Sequence, residues 1–252
     1  MKRAEFEALG AVEREHWFYK GKRDLVRYFL QRETAPTPDD IILDAGAGTG
    51  ELVQELRTQF GHTGPQVIGI EYSEEARAYA KEANGLDLTP GSILDLPLAN
   101  DHVLISCALD VLEHVEDDQR GLTELIRVTK PGGIIIINVP AFKALWSEWD
   151  VSLGHFRRYS MPMMRELLAP HLAAHSIEIV ELKYINNFAF PLILGYRMFR
   201  KILPSDKRAE DSIPAKPIND LMHTLLVAPA KWHWFQAPFG VSIFAILRKR
   251  TG

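Results

Sequence analysis

The sequence predicts an α/β protein with a mostly parallel, seven-stranded open sheet and helices on both faces. Three observations carry that expectation. From Ile41 onward, short apolar runs alternate with glycine-containing turns and with segments of helical apolar spacing. Four consecutive isoleucines, Ile134 to Ile137, suit a strand buried on both faces. At 252 residues, 46% of them hydrophobic, the chain is long enough to fill one large core.

Residues 1–40 read as a helical cap, and residues 41–252 as the main domain. Within the cap, residues 13–30 have a helical pattern with Trp17, Phe18, Leu25 and Phe29 available for burial, and Ala35-Pro-Thr-Pro38 separates them from the first strand. Ile41 to Leu43 is that strand, entering the turn Asp44-Ala-Gly-Ala-Gly-Thr-Gly50; Leu52, Val53 and Leu56 then recur at helical spacing until Gly61. Val67 to Ile70 is the second strand. Ser73 offers an N-cap oxygen, Glu74 and Glu75 place acids in the first turn, and Asn84-Gly85 closes that helix. Leu86 to Thr89 is expected as the third strand, Val103 to Cys107 as the fourth, and a helix from about Asp117 to Thr129 follows. Lys130-Pro-Gly-Gly133 turns the chain into the fifth strand, Ile134 to Val139; Ile177 to Val180 and Val241 to Leu247 complete the sheet. Residues 141–160 and an insert at about 184–240, before the last strand, fall outside the repeating unit.

Composition narrows the function. Lys plus Arg (29) fall below Asp plus Glu (33), a net charge of -4, which argues against a nucleic-acid partner. The single cysteine, Cys107, excludes an intrachain disulfide and a thiolate zinc site, and it suits a reducing compartment. The acidic N-terminus lacks a secretory pattern, and the longest apolar stretch, Phe188 to Leu194, is interrupted by Pro191 and far shorter than the ~18–20 residues of a membrane span. The expected location is cytoplasmic, with at most peripheral membrane contact.

The turn after the first strand is the strongest chemical signal. Gly46, Gly48 and Gly50 carry no Cβ, so a ligand can approach the backbone. A dinucleotide fingerprint would place a glycine at position 51; Glu51 stands there instead, at a helix N-terminus that should receive a pyrophosphate. Asp44, just before the turn, suits a cationic amino group better than a phosphate. Glu71 ends the second strand, where a carboxylate can accept from both ribose hydroxyls, a role that dinucleotide sites share. The backbone of Gly91-Ser-Ile-Leu-Asp-Leu-Pro97, with Asp95, could flank an adenine.

On these residues the chain resembles the class I S-adenosylmethionine-dependent methyltransferases. The matching segments are Ile42-Leu-Asp-Ala-Gly-Ala-Gly-Thr-Gly50, Gly69-Ile-Glu71, Gly91 to Pro97, Asp110-Val-Leu-Glu-His114 and Arg127-Val-Thr-Lys-Pro-Gly-Gly133, together spanning about 40–140. The resemblance implies a Rossmann-like fold and S-adenosyl-L-methionine as cofactor. It implies that Asp44, Gly46, Ala47, Gly48 and Gly50 hold the methionine part, Glu71 the ribose, and Ser92, Ile93 and Asp95 the adenine, with Tyr72 and Asp110 also expected to bind the cofactor. Leu104 departs from the pattern, since many members have an acid opening the fourth strand. A bacterial subset is similar in its Trp and Asp before a Gly-His-x-Arg-Arg-Tyr run, here Gly154 to Tyr159, and in a His-Trp-aromatic segment like His16 to Tyr19. Members of that subset are associated with surface polysaccharide or lipid-linked intermediates. The expected acceptor is therefore a small molecule or a lipid- or glycan-linked one, methylated at oxygen. A non-catalytic protein that keeps the cofactor fold, and an RNA methyltransferase, are the alternatives.

Methyl transfer from a sulfonium is an in-line displacement that asks the enzyme chiefly to align donor and acceptor and exclude water. A base is needed where a hydroxyl must lose its proton. His114, after the fourth strand, and His155 are the candidate catalytic residues. Glu113 is expected to shape the pocket, with Trp17 of the cap beside the acceptor. Arg157, Arg158 and Tyr159 could clamp a carboxylate or phosphate; alternatively this segment is a surface loop in which arginine pairs with Asp150 or Glu148. The Asn/Asp-Pro-Pro-Tyr motif of adenine amino methyltransferases is absent, and Cys107 reads as inert core. A stripe of Leu192, Tyr196, Phe199 and Leu203, with Arg197, Arg200, Lys201, Lys207 and Arg208 in or beyond it, reads either as a lid or as peripheral membrane contact through residues 184–208. His171 and His175 stand four apart but lack an evident third ligand, so no metal is expected.

Overall fold

The computed structural model describes residues 3–174, 176–202, 213–232 and 234–251. The cap is α1 (Arg3–Glu13) and α2 (Trp17–Glu33). The domain follows as β1 (Ile41–Ala45), α3 (Glu51–Phe60), β2 (Gln66–Glu71), α4 (Glu74–Asn84), β3 (Thr89–Pro90), β4 (Val103–Leu109), α5 (Asp118–Val128) and β5 (Thr129–Pro140). It continues with α6 (Glu148–Ser152), α7 (Met161–Ala173), β6 (Ile177–Ile185), α8 (Ala189–Ile202), α9 (Lys216–Ala230) and β7 (Ser242–Lys249).

The strands form one seven-stranded sheet in the order β3-β2-β1-β4-β5-β7-β6, parallel except for β7, which runs antiparallel to both neighbours. This is the Rossmann-like class I methyltransferase architecture. Alternation along the strands loads both faces: Ile135, Ile137 and Val139 enter one core, while Ile134 and Ile136 enter the other. Burial on both sides is why β5 is an unbroken apolar run. The chain leaves β1 for β2 on one side and reaches β4 on the other, so a crevice opens beyond the carboxyl ends of β1 and β4.

Two elements differ from expectation. The helix anticipated over 13–30 starts only at Trp17, after a separate α1, because His16 is extended and caps α2 by accepting from the Phe18 N–H at 3.3 Å. Buried Arg23 spans the break, donating to the Glu13 and Arg14 carbonyls at 3.0 and 3.1 Å at the end of α1. The third strand is Thr89–Pro90 rather than Leu86 to Thr89. Leu86 instead donates its N–H to the Ala80 carbonyl at 3.1 Å as part of the α4 terminus, where Gly85 is left-handed.

The insert supplies two helices. α9 packs on α2, with the Trp17 N–H donating to Asn219 Oδ1 at 2.9 Å. α8 begins at Ala189, two residues before Pro191. No helix among the described residues is long and apolar enough to cross a membrane.

Candidate active site

A cavity of about 760 Å³ occupies the crevice, within the ~300–1,000 Å³ range of small-molecule sites. The ends of β1, β2 and β4 form its floor. α1 and α2 cover one side, and Ile193 and Arg197 reach it from α8.

Asp44, Gly46, Ala47, Gly48, Glu71 and Tyr72 line one end. Asp44 is 4% exposed; burial, together with the charges of Glu71 and Glu13, pushes its carboxyl up to about 7. Glu71 accepts the Gly48 N–H at 2.8 Å on one oxygen and the Ser73 N–H at 2.7 Å on the other. Since a carboxylate offers about four acceptor sites, this fixes its orientation and leaves capacity for hydroxyl donors. The three glycines are not equivalent. A Cβ on Gly48 would meet nothing within 4 Å, whereas one on Gly46 would strike the Val111 side chain at 2.5 Å and one on Gly50 the Leu86 side chain at 2.7 Å. Only Gly48 is bare toward the cavity; Gly50 faces the protein and does not line it. Ser92 and Ile93 line the next wall, but Asp95 does not. Its N–H closes a turn onto the Ser92 carbonyl at 3.0 Å, and Asp95 is exposed, apart from the lining on which it was expected.

Asp110 sits between the two ends with φ 55°, a left-handed conformation unusual for a side chain other than glycine. One oxygen accepts from Asn138 Nδ2 at 2.6 Å and the other from Lys22 of α2. Lys22 is 5% exposed, and its ammonium lies 4.2 Å from the Phe18 ring centre, so a cap residue contributes a buried cation to the cavity.

Glu113, His114 and His155 form the other end, on the cavity lining with Trp17 and Arg158. Phe156 N–H to the Glu113 carbonyl, 2.8 Å, staples the segment after β5 to the turn after β4. The imidazoles of His114 and His155 meet edge to face at 4.5 Å. Burial and His155 lower the pKa of His114 to about 4. Glu113 is fully buried, and burial followed by the charge of Asp110 raises its carboxyl well above the usual range. Behind His155 lies Asp150, also fully buried. Its carboxylate receives His155 Nδ1 at 2.9 Å, Arg158 Nε at 2.6 Å and the Ser147 N–H at 2.8 Å. Burial opposes ionisation, but His155 and Arg158 hold Asp150 well below the ordinary carboxylate range.

These contacts replace the expected arginine clamp. Arg158 lines the cavity but is engaged by Asp150 through Nε and Nη2, the latter at 3.2 Å. Arg157 pairs with Asp118 at 2.8 Å and donates to the Glu116 carbonyl at 2.6 Å. Tyr159 is 1% exposed and donates to Asp118 at 2.7 Å. Neither Arg157 nor Tyr159 lines the cavity, because the return from Gly154 turns both toward α5. His171 bonds with Gln119 Nε2 at 2.8 Å, away from the cavity, and His175 lies outside the described residues, as do Leu203, Lys207 and Arg208.

Sequence reasoning missed Lys22 and Asn138, and it weighed Asp150 only as a surface partner. Asn138 interrupts an apolar strand, which is a readable signal, whereas Lys22 is one of several charged residues of α2 and does not stand out in sequence.

Comparison with known proteins agrees with this geometry. Residues 43–137 match the family model described as a methyltransferase domain. A probable S-adenosylmethionine-dependent methyltransferase of Mycolicibacterium smegmatis is 28% identical over 165 residues, 63% of this chain and 60% of that protein. The malonyl-[acyl-carrier protein] O-methyltransferase of Pectobacterium atrosepticum is 37% identical over 95 residues, 37% of this chain and 36% of that one. The matches thus span roughly a third to three fifths of these relatives. Among solved structures, a SAM-dependent methyltransferase of Thermotoga maritima superposes with a TM-score of 0.62 at 18% identity, covering 98% of this chain and 95% of that one. Residues 43–137 are thus similar to a methyltransferase domain, and the sheet that holds them has the class I fold.

Proposed function

We propose that this chain transfers the methyl group of S-adenosylmethionine to a hydroxyl of a small-molecule or lipid- or glycan-linked acceptor. The observation that carries the proposal is one continuous cavity joining the bare backbone of Gly48 and the buried Asp44 to the Glu113, His114 and His155 cluster. In this reading the methionine ammonium sits by Asp44 and draws its carboxyl into the charged form. Glu71 holds the ribose and Ser92 and Ile93 the adenine. Lys22, now on Asp110, is within the same wall and offers a cation to the methionine carboxylate.

The acceptor oxygen approaches from the histidine cluster. Its proton leaves to solvent through this end of the cavity as the oxygen attacks. The new C–O bond forms while the C–S bond breaks, and the sulfonium leaves as neutral S-adenosylhomocysteine. The helices α1, α2 and α8 exclude water from the reacting atoms. The lipid-linked reading draws support from α8, whose Ile193 and Arg197 line the cavity while Leu192 and Phe188, just before the helix, are 68% and 50% exposed. An apolar tail could follow this helix out of the site, and the same face would meet a membrane surface.

The test incubates the purified chain with methyl-labelled S-adenosylmethionine and a panel of sugar, lipid-linked and small hydroxyl acceptors. Acceptor-dependent release of S-adenosylhomocysteine with label on oxygen is expected. Label on nitrogen or carbon would overturn the acceptor assignment, and tight donor binding without turnover for every class would favour a binding protein.

A further inference from the structure

We propose that Glu113, His114 and His155 bind one divalent transition-metal cation at the acceptor end of the cavity. They come from two places in the chain, the turn after β4 and the return after α6. Their ligand atoms all lie within 4.8 Å of one another, and they are the only such trio of possible metal ligands among the described residues. The one spaced pair in the sequence was His171 and His175, of which His171 lies away from the cavity.

Two independent features point to a ligand. Glu113 is 0% exposed, yet neither carboxylate oxygen has a hydrogen-bond partner among the described residues. A buried carboxyl in that condition is costly, and a cation would satisfy it. His155 is also oriented as a ligand. The carboxylate of Asp150 is an acceptor already bound by Arg158 and the Ser147 N–H, so Nδ1 of His155 must donate its proton to it at 2.9 Å. In the neutral ring this puts the lone pair on Nε2, the arrangement in which ligating histidines are held by an outer carboxylate.

Two imidazoles and one carboxylate favour Zn²⁺, Co²⁺, Fe²⁺ or Mn²⁺ over Mg²⁺ and Ca²⁺, which take oxygen ligands. Ligand distances of ~2.0–2.2 Å require the three groups to draw together on binding. Three protein ligands leave coordination positions facing the cavity. An acceptor hydroxyl bound there would have its pKa lowered, which would ease loss of its proton to water as it attacks the methyl carbon. This role rests on the methyl-transfer reading; cation binding itself does not.

The experiment strips the full chain with EDTA and titrates it with Co²⁺, followed by visible absorption and by calorimetry. One equivalent is expected, with ligand-field bands. His155→Ala and Glu113→Gln should each weaken Co²⁺ binding by at least ~10–100-fold. S-adenosylhomocysteine affinity, measured on the same samples, reports whether each variant is folded. Absence of stoichiometric Co²⁺ binding by the parent chain, or binding undiminished in both folded variants, overturns the site. Co²⁺ binding without S-adenosylhomocysteine binding leaves the cation site standing and removes the methyl-transfer reading alone.

Discussion

The two ends of the cavity are built on different principles. At the glycine turn, recognition comes from backbone and from carboxyl groups at strand ends, and Asp44 is left buried with its carboxyl pushed up to about 7. At the far end, charges are paired off inside the protein, Asp150 with Arg158 and Asp118 with Arg157, and Arg158 reaches the cavity already engaged beside Glu113, His114 and His155. The donor end therefore sets carboxyl groups beside bare backbone. The acceptor end uses its charged residues as a frame for two imidazoles and one carboxyl.

Breaking the frame should have the largest effect. Arg158→Ala leaves Asp150 buried beside His155 without its main counter-charge, a class of change worth about 3–5 kcal/mol. Denaturant unfolding should show that loss, and an unaltered midpoint would mean that the pair is not structural. At the donor end, Gly48→Val puts bulk where ligand should lie, and a φ of 55° adds backbone strain. Affinity for S-adenosylhomocysteine should fall by about 100-fold or more, about 2.7 kcal/mol, with little change in the sheet.

The raised pKa of Asp44 sharpens the contrast through pH. Facing groups are Glu71 on β2, Glu13 on α1 and Cys107 on β4, none of which supplies a cation. Below pH about 7 the free carboxyl is protonated, and an incoming ammonium must displace that proton. S-adenosylmethionine affinity should therefore rise with pH by up to about tenfold per unit and level off above about 7. In the unliganded chain the sign is opposite. The folded state holds this proton more tightly than the unfolded state, so Asp44 makes stability fall as pH rises from about 4 to about 7. Asp44→Asn should flatten both dependences, measured as calorimetric proton release and as unfolding midpoints. The smallest effect belongs to Arg157→Ala. Its partly exposed pair with Asp118 is worth about 1 kcal/mol or less, and acceptor kinetics should not change because Arg157 faces away from the cavity. A raised acceptor KM would restore the clamp.

The same contrast explains what the sequence made legible. Strands buried on both faces and a turn with three left-handed glycines are local patterns, so β1, β2, β4 and β5 and the residues Asp44, Gly48 and Glu71 could be found by spacing. The third strand was misjudged because Leu86 is captured by the end of α4, a competition between a helix terminus and a sheet edge. At the acceptor end, residue types were informative but direction was not. Arg157, Arg158 and Tyr159 look alike as anion ligands in one dimension, and only the return at Gly154 decides which faces α5 and which faces Asp150. Lys22 reaches Asp110 across 88 positions of sequence, a pairing that no local pattern encodes.

The most direct test of the donor site is calorimetric titration of the purified chain with S-adenosylmethionine and S-adenosylhomocysteine, with NAD as the control. The structure predicts micromolar binding of the first two and none of NAD. Binding of NAD, or equal affinity of the parent chain and Gly48→Val for S-adenosylhomocysteine, would contradict the assignment of the glycine-turn end to a sulfonium donor.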